Sequence, residues 1–222
     1  MDNDLQTNNG LHYKITAFLE THAVIYQFLR FACIGFLNTG LAFLVQNILS
    51  KFFDISKSSQ SWEFSAIQGV SFVCAVIQSY PWNRTWTFGG EVGIGMWKNF
   101  VRLVSVGALG ASALVFVVIA ASLSAPWWSY LIFLVAYLIT EEVLWKQFGF
   151  HISNWDHVGH SFLIFFIVTG IGFLINAGLS GVLFKHIHIT NSDLDKNIAA
   201  ALATGITLFW NFVGYKVIVF KK

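Results

Sequence analysis

Six apolar stretches, each long enough to cross a bilayer, leave this chain little choice of fold. They cover residues 24–52, 65–86, 100–123, 127–148, 161–184 and 198–220. A helix needs about 20 apolar residues to cross roughly 30 Å of hydrocarbon. No water reaches the backbone there, so each stretch must satisfy its own N–H and C=O groups by becoming helical. The expected fold is all-α: a polytopic transmembrane helix bundle of six spans. Only Ser124-Ala125-Pro126 separates the third stretch from the fourth, which predicts a tight turn.

Charge agrees with that reading. Residues of type Asp, Glu, Lys and Arg make up 11% of the chain, against about 25% in a soluble domain, too few to cover a surface in water. The chain divides into a leader, 1–23, and a single transmembrane domain, 24–222. Residues 1–10 are polar and slightly acidic, so a cleaved signal is not expected. In the leader Leu11, Ile15, Phe18 and Leu19 fall at helical spacing; they form either an interfacial helix or a frayed leader. Cys33 and Cys74 both lie in apolar stretches and read as reduced thiols. A net charge of +2 without a basic run excludes a nucleic-acid partner.

Lys and Arg give the orientation. With six spans both ends share a face, on which Lys14, Arg30, Arg84, Lys98, Arg102, Lys146, Lys216, Lys221 and Lys222 fall. Lys51, Lys57, Lys185 and Lys196 fall on the other. The excess places both termini in the cytoplasm, by the positive-inside rule. Trp62, Trp86, Trp97, Trp127, Trp128, Trp145 and Trp155 stand where interfacial anchors belong.

The spans pair into three similar hairpins, about 24–90, 97–150 and 160–222. Arg30 precedes Gly35 by the same five residues that separate Arg102 from Gly107. The third hairpin lacks the arginine, but Gly172-Phe173-Leu174-Ile175-Asn176 repeats Gly35-Phe36-Leu37-Asn38 with one extra residue, which puts Asn176 in the place of Asn38. Each hairpin closes with a cation four residues before a phenylalanine: Arg84 and Phe88, Lys146 and Phe150, Lys216 and Phe220. All three enter and leave on one face, making a parallel repeat.

Arg30-Phe31, Gly35, Asn38-Thr39 and Asn83-Arg84-Thr85-Trp86-Thr87-Phe88 together resemble the GtrA-like family of small polytopic membrane proteins, and the closing stretch Asn211 to Phe220 is similar to that family's last helix. The family usually has four spans, so the resemblance implies an elaboration here, expected in the middle hairpin or its loop partner. It further implies translocation of a polyprenyl-phosphate-linked monosaccharide across the cytoplasmic membrane for cell-surface glycosylation. Membrane lipids, a membrane glycosyltransferase and a second copy of the chain are the other expected partners. A non-transporting adaptor that recruits a glycosyltransferase is the alternative. A third reading is an intramembrane enzyme acting on a lipid phosphate.

For translocation, Arg30, Arg84, Arg102, Lys146 and Lys216 are the candidate phosphate ligands, since guanidinium makes paired charge-assisted bonds to phosphate. The same residues suit plain anchoring to headgroups. Asn38, Thr39, Asn83, Trp86, Asn176 and Asn211 are candidates for contact with the sugar or for interhelical hydrogen bonds. Glu141 and Glu142 are costly inside a span unless paired or protonated. They either pair with Arg84 or Arg102, or serve as a proton-coupled or sugar-binding acid. No metal is expected: His151, Asp156, His157 and His160 precede the fifth span, whereas His186 and His188 follow it. No cofactor or catalytic group is expected either, for the chain has no P-loop, nucleotide fingerprint or nucleophile triad.

Overall fold

A computed structural model describes residues 23–55, 62–89, 96–150, 158–186 and 192–221. The leader residues Leu11, Lys14, Ile15, Phe18 and Leu19 lie outside them. So do Lys57, His151, Trp155, Asp156, His157, His188 and Lys222. The described chain is helical: α1 (Ala23–Phe52), α2 (Trp62–Trp82), α3 (Met96–Ser122), α4 (Trp127–Gln147), α5 (Val158–His186) and α6 (Ser192–Gly214). π-helical turns, Asn83–Thr87 and Tyr215–Val219, extend α2 and α6.

Five of the six helices are long and apolar enough to cross a membrane. The exception is α2, which is long enough at 21 residues but carries Glu63, Gln68 and Gln78 among its apolar side chains. Its course is set by its neighbours. α1 and α3 run parallel, so the segment between them must bring the chain back along α1.

Glycine makes the α1–α3 contact possible. Gly107 faces Cys33, Gly110 faces Leu37, and Gly40 faces Gly110 and Ala113. A Cβ on Gly110 would lie 2.6 Å from the Leu37 nitrogen, and one on Gly40 would lie 2.8 Å from the Ala113 Cβ. Small residues let backbones approach where lipid supplies no hydrophobic drive for association. α1 is the hub, packing on α2, α3, α4 and α6. Cys33 and Cys74 are free thiols.

The turn expected between the third and fourth spans is there. Ser124 takes a left-handed φ of 52°, the Ala125 N–H bonds to the Ala120 carbonyl at 2.8 Å and the Ser124 N–H to that of Ala121 at 3.1 Å. That is a Schellman cap. Lys51, at the end of α1, donates to the Ala125 carbonyl at 2.7 Å and lies over the Tyr130 ring, tying the first hairpin to the turn of the second.

The third hairpin docks through aromatic rings. Phe212 meets Phe28 and Phe31, Tyr80 meets Phe162 and Phe165, and Phe88 stacks on Phe220 with centroids 5.0 Å apart.

Backbone bonds repeat as the sequence does. Phe88, Phe150 and Phe220 each donate their N–H to the carbonyl five residues back, at Asn83, Trp145 and Tyr215. The outer two close π-helical turns, whereas the middle one closes a Schellman cap at Gly149, whose φ is 66°. The cation of each hairpin follows the accepting residue directly.

Candidate functional site

The five candidate cations share one end of the bundle, where α1 and α3 begin and α2, α4 and α6 finish. They divide by environment. Arg30 and Arg102 are buried, each 8% exposed. Arg30 donates to the Trp86 carbonyl at 3.1 Å and lies 4.5 Å over the Tyr26 ring. Arg102 donates to the Phe148 carbonyl and lies 4.9 Å over Phe150. Each acceptor stands two residues before its hairpin's closing phenylalanine. The repeated arginine thus locks the return helix of its own hairpin, where terminal carbonyls lack intrahelical partners and a positive charge is favoured. One turn earlier on α1, Gln27 does the same for the Thr87 carbonyl at 3.0 Å.

The other three cations sit at the rim. Arg84 is half-buried and donates to the Tyr80 hydroxyl at 2.8 Å, which itself donates to the Val158 carbonyl. Lys146 is exposed and pairs with Glu142 at 3.0 Å, one turn away on the same helix. Lys216 is exposed beside the Phe212 ring.

Deeper in the bundle lies a polar level shared by α1, α2 and α4. Glu141 accepts the Trp82 indole N–H at 2.5 Å on one carboxyl oxygen and the Gln78 amide at 2.6 Å on the other. The expected pairing of Glu141 or Glu142 with Arg84 or Arg102 does not form: Glu141 turns inward to neutral donors, and Glu142 points outward to Lys146. A quarter-turn of helix separates the two carboxylates, enough to put one in the bundle and the other outside. Tyr137, one turn before Glu141, donates to the Leu37 carbonyl at 2.8 Å. Asn38 donates to the Ser79 hydroxyl at 2.7 Å, and Asn83, fully buried, donates to the Ser79 carbonyl and hydroxyl at 3.0 Å each.

These bonds use the N–H groups and leave oxygens over. Asn38 Oδ1, Gln78 Oε1 and Asn83 Oδ1 are buried without a partner. Trp86 is buried against Trp82 and Phe150, its indole N–H unpartnered. No Cα of α4 comes within 8 Å of one in α2, so long side chains bridge the gap between those helices, Glu141, Tyr137 and Trp145 from α4 meeting Gln78 and Trp82 from α2.

The remaining candidates lie elsewhere. Thr39 is exposed and bonds back to the Gly35 carbonyl of its own helix at 2.8 Å. Asn176 reaches Thr204 at 3.3 Å, sixteen residues before Phe220, whereas Asn38 meets Ser79 nine residues before Phe88. Asn176 therefore does not occupy the place of Asn38. The residue nine before Phe220 is Asn211, which packs on Gly172 with its Oδ1 buried and unpartnered. Counting back nine from each closing phenylalanine gives Ser79, Glu141 and Asn211, one polar residue per hairpin at one level. Gln78, Ser79, Trp82 and Tyr137 were not among the expected site residues. The signal for Gln78 was its presence inside a span, and for Ser79 its distance from Phe88.

Comparison with curated proteins and with solved structures gave no match. The GtrA/DPMS transmembrane domain matches residues 30–150, from the arginine that locks the first hairpin to the phenylalanine that closes the second. The match runs through the first and middle hairpins. With more than half of its length matched, the chain belongs to the GtrA/DPMS transmembrane-domain family.

Proposed function

We propose that the protein moves a polyprenyl-phosphate-linked monosaccharide between the leaflets of the cytoplasmic membrane, for use by a glycosyltransferase on the outer face. Membership of the family favours a lipid-linked sugar as cargo. The observation that carries the reading is the polar level between α1, α2 and α4, where acceptors stand without partners inside an otherwise apolar bundle. Sugar hydroxyls are the donors such acceptors lack, and an unmet buried acceptor costs about 1–3 kcal/mol. The cations nearest the linking phosphate in this reading are those at the rim, Arg84, Lys146 and Lys216. By the positive-inside rule that rim faces the cytoplasm, with both termini, and the apolar helix faces pass the polyprenyl tail.

The test is leaflet transfer of a short-chain polyprenyl-phosphate sugar in proteoliposomes. The wild-type protein is expected to exceed empty liposomes, and Arg84→Ala to lose about tenfold or more, the value of a hydrogen bond to a charged group. No transfer by the wild type across several sugars would leave the adaptor reading, to be pursued by co-purifying the glycosyltransferase.

A further inference from the structure

Glu141 is the least explained group in the bundle. It lies within α4, among the helices long and apolar enough to cross the membrane, and its partners are an indole and an amide, both neutral. Among the described residues it has no cationic partner. Both carboxyl oxygens accept from donors that cannot themselves accept, since an indole nitrogen and an amide NH2 only donate. The carboxylate therefore has hydrogen-bond donors but no compensating positive charge, an arrangement that a low-dielectric interior tolerates poorly unless a positive group joins it.

Two species supply such a group: a proton, or an ammonium carried by the ligand. The neighbouring oxygens decide between them. The amide of Gln78 that binds Glu141 leaves its own Oε1 unpartnered, and Asn38 Oδ1 and Asn83 Oδ1 are unpartnered at the same level. Their orientation is not arbitrary. The Asn83 NH2 is fixed on the Ser79 carbonyl and the Gln78 NH2 on a carboxyl oxygen, so neither amide can flip without setting acceptor against acceptor. A proton on the carboxyl would let Gln78 turn its Oε1 to accept the new O–H, but would leave Asn38 Oδ1 and Asn83 Oδ1 unmet. An ammonium offers three N–H donors, enough for the carboxylate and two carbonyls together. The rings of Trp82, Trp86, Trp145 and Phe150 pack beside the site, and aromatic faces add to the binding of a desolvated cation.

We infer that the polar level held by Glu141 and Gln78 binds a primary ammonium, and that the carried headgroup is therefore an amino sugar. The inference rests on the translocation reading for its substrate class. The gap between α2 and α4, bridged only by side chains, is where the headgroup enters, displacing Gln78 or Trp82 from the carboxylate as it does so.

Binding tests this separately from transport. The full chain in nanodiscs is titrated with three citronellyl-phosphate probes: a 2-amino-2-deoxyhexose, its N-acetyl form and the parent hexose. The amino form is expected to bind about tenfold or more tighter than the other two, the value of one charge-assisted contact. Glu141→Gln, which keeps the shape and can still accept the Trp82 N–H, is expected to abolish that preference, so that the amino form binds the variant no more tightly than the hexose does. Equal affinity of wild type for the three probes overturns the inference. So does a Glu141→Gln protein that retains the preference. A variant that loses transfer of all three probes, with wild-type transfer following an imposed pH gradient, assigns Glu141 to a proton and overturns it equally. Selective binding without leaflet transfer would uphold the ammonium site and refute translocation.

Discussion

Gly110→Ala is expected to destabilise the protein by about 2–3 kcal/mol, although alanine is worth about 1 kcal/mol more than glycine to an isolated helix. The added Cβ meets backbone, not a side chain that could turn aside: the Leu37 nitrogen at 2.6 Å and the Phe36 carbonyl carbon at 2.7 Å. α1 and α3 must separate to admit it, and α1 carries the contacts to α2, α4 and α6 as well. Thermal unfolding in detergent, with size-exclusion profiles before and after, measures the effect. Gly107→Ala is the control from the same seam, where the Cβ would meet only the Cys33 sulfur at 3.5 Å. That variant is expected to be neutral or slightly more stable, so only Gly110→Ala destabilises. Equal behaviour would mean that α1 and α3 do not pack along this line.

The second large effect concerns Arg102. Arg102→Met is expected to cost about 2–3 kcal/mol, because the Phe148 carbonyl at the end of α4 loses its charged donor. Arg102→Lys is expected to restore only part of that, since a lysine lacks the planar group that lies over Phe150 while donating. The readouts are unfolding temperature and amide hydrogen exchange at Phe150, which should quicken as the end of α4 frays. An Arg102 that served only as a phosphate ligand would leave both unchanged and impair ligand binding alone. Arg30→Met should act likewise on the end of α2, through the Trp86 carbonyl.

The spans were legible because lipid leaves a chain few options. Their bounds shifted by a few residues, as at α5, which begins at Val158 and not at 161, and α6, which begins at Ser192 and not at 198. The repeat was legible where it follows short spacing along one helix: the cation-to-phenylalanine interval marked three equivalent backbone bonds before any contact was known. It misled where it relied on residue type across a longer stretch. Asn176 resembles Asn38 in sequence, but its helix carries it to Thr204. Glu141 could be singled out because a carboxylate inside a span is costly on any arrangement. Its partners could not, because neighbouring positions 141 and 142 point to different surroundings and only the order of helices around α1 decides which is inside. The two buried arginines showed the same limit. Charge placed them at one end of the bundle, but only the hairpin geometry reveals that they hold carbonyls.

The matched register of α1 and α3 has a consequence for direction. Repeats inserted in opposite senses can exchange conformations and so turn a site from one side of the membrane to the other. Here Cys33 and Gly107, Leu37 and Gly110, and Gly40 and Ala113 lie level with one another in helices that point the same way. Exchanging the two hairpins returns a molecule open to the same side. The bundle is polar in the sense that an arrow is, and any vectorial work it performs must draw its asymmetry from what differs between the hairpins, such as the carboxylate that stands in the second where the first has a serine.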